Sequence, residues 1–110
     1  MDIAEVIWGK TTHWDYFAKD TIGKQFVRAV DSIAANLSEG HGRYHYKENK
    51  QFCHYARGSA DESLTWLEKS VRRNLIDRNE GKDLYQRLET LKKRINAYIK
   101  SIGVDSKTND

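Results

Sequence analysis

Apolar side chains at Ile22, Phe26, Val30, Ile33 and Leu37 recur at intervals of three and four residues and run into Gly40 and Gly42. No other stretch of the chain constrains its fold as tightly. A backbone with that period shows a single apolar face only as an α-helix, and the face is buried only against another element of comparable length. Asn36, Ser38 and Glu39 fall at the margins of the stripe. Glu39-Gly40-His41-Gly42 then reads as a helix C-cap and a tight reversal, with Gly40 supplying a positive φ.

Three further stripes can cover the first. Ile3, Val6, Ile7, Trp14, Phe17 and Ala18 predict an opening helix from Asp2 to about Lys19, weakened at Gly9, and Asp20 or Thr21 is placed to cap the next. Phe52, Ala56, Ser59, Ala60, Ser63, Leu67, Ser70 and Val71 predict a third helix with side chains small enough for close approach. It is expected to start near His45, with Glu48 in the capping-box position. After an expected loop from Asn74 to Asp83, Leu84, Leu88, Leu91, Ile95, Tyr98 and Ile102 keep the four-three spacing of a bundle seam. Proline, which would break such helices, is absent from the 110 residues. These patterns imply an all-α, antiparallel up-down-up-down four-helix bundle over residues 1–103, followed by a polar, disordered tail over 104–110.

A 12.8 kDa chain supports one modest core, which argues against an enzyme that encloses its substrate between two domains. Its one cysteine, Cys53, excludes an intrachain disulfide and fits a reducing cytoplasm, with pairing between chains left open. The opening MDIAEVIWGK carries acidic residues and no long apolar run, so neither a signal peptide nor a membrane partner is expected. Tyr16, Tyr44, Tyr46, Tyr55, Trp8 and Trp66 exceed what so small a core needs, and self-association would use the surplus.

Charge is unevenly spread. Residues 1–40 hold four basic and six acidic side chains, whereas in residues 41–58 Arg43, Lys47, Lys50 and Arg57 face Glu48 alone. Interleaved with Tyr44, Tyr46 and Tyr55, these cations have the chemistry used on nucleic acid: phosphates for the charges, base faces for the rings. His45 lies in the same segment, and Arg72-Arg73 and Lys92-Lys93-Arg94 are secondary basic candidates. The plain alternative is a solvated helix face. Three histidines, His41, His45 and His54, raise an alternative of acid–base RNA cleavage, but nothing in their spacing brings two imidazoles to one phosphate. Neither a metal-ligand spacing nor a phosphate-binding glycine loop is present, so no metal, cofactor or catalytic residue is expected. Asn36 and Glu39 either hold a backbone near the helix end or line a ligand pocket.

FVRAVDSIAANLSEGHGR followed by ENKQFCHYARGSADESLTWLEK resembles the bacterial "four helix bundle protein" family. That family includes the large-subunit ribosomal RNA intervening-sequence proteins and the accessory variability protein of diversity-generating retroelements. Ser32, Ile33, Ala35, Asn36, Glu39 and Gly40 stand where its Ser-Ile-Pro-Ala-Asn-Ile-Ala-Glu-Gly motif places them, and Arg28, Arg43, Glu48, Phe52, Ala56, Gly58, Ser59 and Ala60 continue the pattern. Ala34 replaces the usual proline, and Ser38 and His45 are further departures. The resemblance implies ring-like homopentamers without enzymatic activity. It also implies nucleic acid as a partner at a basic surface, and a reverse transcriptase or other protein as a further one. A protein-only scaffold is the competing expectation.

Overall fold

The structure is a computed structural model that describes residues 2–103; the expected tail over 104–110 lies outside the described residues. The elements in order are α1 (Ile3–Thr11), α2 (Tyr16–Ala18), a π-helical turn (Lys19–Gly23), α3 (Lys24–His41), α4 (Tyr46–Arg72) and α5 (Arg78–Ser101). Helical dihedrals continue from α2 through the π turn into α3, so these three form one rod, and the chain is an all-α four-helix bundle. None of the described helices is long and apolar enough to cross a membrane.

The first helix is shorter than its apolar pattern predicts. It stops at Thr11 because polar side chains take over its last carbonyls: Thr12 Oγ1 donates to Gly9 O at 3.0 Å, and His13 Nδ1 lies 2.8 Å from the same oxygen. Asp15 then caps the next helix, its carboxylate accepting from Ala18 N at 2.9 Å, so Asp20 and Thr21 are not caps but lie within the π turn. Phe17, expected in the core, is 77% exposed as a consequence.

The core itself follows the stripes. Ile7, Phe26, Val30, Leu67, Leu84, Leu88 and Ile95 are almost wholly buried and belong to one cluster drawn from all four rods. Burying a side chain such as Phe26 contributes about 1.5–3 kcal/mol. On α4 the buried positions are small: Ala56, Ala60, Ser63 and Ser70 are fully covered, and the two hydroxyls donate to their own helix at Ser59 O (2.8 Å) and Trp66 O (2.7 Å). Burial of those hydroxyls therefore carries little penalty. Cys53 fills the same face and its thiol pKa is pushed up by burial, so the disulfide between chains that the sequence left open has no accessible sulfur.

Two glycines serve packing where the sequence suggested turns. α3 does not end at Gly40 but continues to His41, and Gly42, the C-cap, keeps φ at −80°. Gly40 is buried because α4 crosses there: a β-carbon would sit 2.8 Å from Asn49 Oδ1 and from Phe52 Cβ. Gly81, expected in the last loop, lies inside α5 against Val71. The loop is shorter than Asn74 to Asp83 because Asp77 caps α5, accepting from Asn79 N at 3.1 Å, while Asn74 makes the reversal at φ 61°.

Contacts between rods follow opposite orders of residue number. Arg28 and Gly40 of α3 meet Glu62 and Phe52 of α4, respectively. Asn49, Arg57 and Asp61 of α4 meet Tyr98, Asn96 and Lys92 of α5. Lys10 of α1 pairs with Glu80, near the start of α5.

Candidate nucleic-acid interface

The link from Gly42 to His45 and the first half of α4 carry the leading basic candidates, Arg43, His45, Lys47, Lys50 and Arg57. At 100° per residue, Lys47, Lys50, His54 and Arg57 fall within an arc of about 80° and, at 1.5 Å per residue, span about 15 Å of helix. Lys47 and Lys50 stand in none of the ion pairs among the described residues. Arg57 is held more firmly: its Nη1 donates to Asn96 Oδ1 at 2.8 Å and its Nη2 faces His54 Nδ1 at 3.1 Å. A guanidinium has no lone pair to give, so that imidazole nitrogen is the acceptor. With five N–H donors, Arg57 still has hydrogen atoms to offer outward.

Arg43 does not join this row. Its Nη2 lies 2.6 Å from Glu39 Oε1, and its guanidinium sits 4.8 Å from the centroid of Phe52, which in turn meets Tyr55 edge to face at 5.6 Å. Phe52 lies about 180° around α4 from the centre of the lysine row, so Arg43 belongs to the opposite flank. His45 occupies the N-cap position of α4, but its ring makes no capping hydrogen bond and the expected capping box is incomplete. The ring instead meets Tyr44 at 90°, with centroids 5.0 Å apart.

The secondary cations are elsewhere. Arg72 and Arg73 close the far end of α4, roughly 38 Å from Lys47 at 1.5 Å per residue. Arg72 is paired with Glu68 at 3.0 Å. Lys92 lies 2.6 Å from Asp61, and that hydrogen bond, the leading cause, raises its pKa. Three histidines occupy three settings: His41 ends α3, His45 precedes α4, and His54 is engaged with Arg57 on α4. Among the described residues no group of three or more His, Cys, Asp and Glu is arranged to hold a metal ion.

The motif residues of α3 form a ladder along one helix flank. Ser32 Oγ donates to Arg28 O at 2.7 Å and Asn36 Nδ2 to Ser32 O at 2.8 Å, while Glu39 holds Arg43. Asn36 therefore secures a carbonyl of its own helix. Arg28 reaches Gln25 at 2.6 Å and Glu62 at 3.5 Å, and Ser59 Oγ donates to Tyr55 O at 3.1 Å. Gly58 is exposed, as Gly42 is, but unlike Gly40 and Gly42 it has nothing within 4 Å of where a β-carbon would stand. Asn96 was not legible as a site residue, since its partner Arg57 is 39 positions away and no local pattern links them.

A second surface collects exposed apolar groups. Trp8 is 57% exposed, Tyr16 79% and Phe17 77%. Trp8 and Tyr16 border a groove of about 400 Å³ floored by Gly23 and Val27 and edged by Lys24 and Arg28.

Against known families, residues 1–97 match the family described as 23S rRNA-intervening sequence protein. Neither the curated proteins nor the solved structures compared with the chain include a match.

Proposed function

Because the chain belongs to the 23S rRNA-intervening sequence protein family, we propose that it is a non-enzymatic, cytoplasmic, oligomeric bundle that binds nucleic acid, RNA or DNA, through the basic stripe of α4. One observation carries this reading: Lys47 and Lys50 stand outside every described ion pair, on the same flank as an Arg57 held in place by Asn96. Charges already matched by a carboxylate release few counterions on meeting phosphate; unmatched ones release more. The family's name refers to an intervening sequence of 23S ribosomal RNA, which is compatible with an RNA setting.

The rods are taken to run antiparallel, up-down-up-down, an arrangement supported by the opposed residue order of the α3–α4 and α4–α5 contacts. Assembly is taken to be a homopentamer, which would repeat the stripe around a ring and raise its local potential. A reverse transcriptase or another protein is the further partner considered. Trp8, Tyr16 and Phe17 favour a second reading, a scaffold that holds only polypeptides, because such rings exposed together suit a protein surface.

A salt series separates the two. Replacement of Lys47, Lys50 and Arg57 by Ala is expected to weaken binding to labelled RNA and DNA and to flatten log K against log salt, by about 0.7–0.9 for each phosphate no longer neutralised, with Arg43→Ala, off the stripe, as the comparison. Circular dichroism is expected to keep its helical signal. Unchanged binding by the triple variant would dismiss the stripe as the interface. The same incubation reports on the histidine-dependent ribonuclease considered above: intact RNA after prolonged exposure removes it.

A further inference from the structure

We infer that the nucleic acid held on the α4 stripe is single-stranded, with an unpaired base stacked on Tyr44. This rests on the nucleic-acid reading above and names its ligand more closely. Tyr44 is 92% exposed, in the link that leads into α4, three residues before Lys47. Its one ring contact among the described residues is the perpendicular one with His45, and in an edge-to-face pair at least one face of each ring stays open. Tyr55, by comparison, is 49% exposed and its ring meets Phe52 edge to face.

The order of groups is what selects a strand over a duplex. Lys47, Lys50 and Arg57 form a row about 15 Å long on a convex helix, and Tyr44 stands at its N-terminal end. A phosphodiester chain laid along that row and continued past its N-terminal end would reach the link that carries the tyrosine ring. In a duplex the base faces are already stacked on one another, so the ring would meet only phosphates or groove edges; in a single strand a face is available, whichever base it is. Arg43 does not compete for that base, since its guanidinium is spent on Glu39 and Phe52.

Fluorescence anisotropy on the full-length chain tests this with three probes of one length: oligouridine, a blunt RNA duplex, and an abasic strand that keeps the phosphates without the bases. Oligouridine is expected to bind more tightly than the abasic strand. Tyr44→Ala is expected to lose about 10-fold on oligouridine and nothing on the other two, Tyr44→Phe to retain binding, and Tyr55→Ala to leave the preference unchanged. Because a stacked ring releases no counterions, the salt slope of Tyr44→Ala should match that of the parent. Equal binding of all three probes, or an equal loss on all three in Tyr44→Ala, would overturn the stacking inference and leave the electrostatic one standing. Failure of the unaltered protein to bind any probe at low salt would overturn both.

Discussion

At the scale of single residues, two glycines of the same motif make opposite predictions. A methyl group at Gly40 would meet Asn49 Oδ1 and Phe52 Cβ at 2.8 Å, a distance that only movement of α4 can relieve. Gly40→Ala is therefore expected to destabilise the fold by about 1–3 kcal/mol. At Gly58 the space is open and the backbone helical, so Gly58→Ala should stabilise by about 0.5–1 kcal/mol. Urea midpoints of the two variants check both signs. Gly40 was conspicuous in the sequence, but its purpose was not. A glycine at a helix end is ordinarily a conformational device, whereas this one is a contact made with residues 9 and 12 positions away, across a chain reversal.

Among the helices, termini set by local chemistry and termini set by apolar period behave differently. Asp77 accepts from the backbone N–H of Asn79 and, at 3.5 Å, of Glu80, satisfying donors that the first turn cannot pair internally. Asp77→Ala should cost about 1 kcal/mol by urea titration, and Asp77→Asn should recover most of it. The apolar period of the first helix, by contrast, ran on through Trp14 and Phe17 and hid the break between Thr11 and Tyr16. Period alone cannot show that Thr12, His13 and Asp15 will bond to nearby backbone, because those bonds compete with the helix at equal range. The start of α4 at Tyr46 was legible, and so was most of the seam of α5: Leu84, Leu88, Ile95 and Ile102 are buried as their spacing requires, whereas Leu91 is half-buried and Tyr98, expected in the seam, is exposed.

For the whole molecule, the exposed aromatics fall into separate groups: Trp8, Tyr16 and Phe17 on α1 and α2, Tyr44, Tyr46 and Tyr55 just before and within the first half of α4, and Tyr85 and Tyr98 on α5. A ring of copies needs one such patch to meet a different patch on its neighbour. On the proposed homopentamer, Phe17→Ser combined with Trp8→Ser is expected to lower the mass measured by light scattering while leaving helical content intact, since neither side chain supports the core. An unchanged oligomeric mass would move the contact elsewhere. Measured together with the salt series on α4, this separates assembly from nucleic-acid binding.

The all-α class, the identity of most core positions and the concentration of positive charge in residues 41–58 were determined by the sequence itself. Each depends on period or on local composition, and a helix converts both directly into faces. What only the tertiary structure decided is which of those charges remain unmatched. Glu39 and Phe52 take Arg43 to one flank, Asn96 fixes Arg57 on the other, and Asp61 engages Lys92, while Lys47 and Lys50 are left without ion pairs. Two of these pairings, Arg57 with Asn96 and Lys92 with Asp61, join residues tens of positions apart on different helices, and their geometry exists only once the helices have packed.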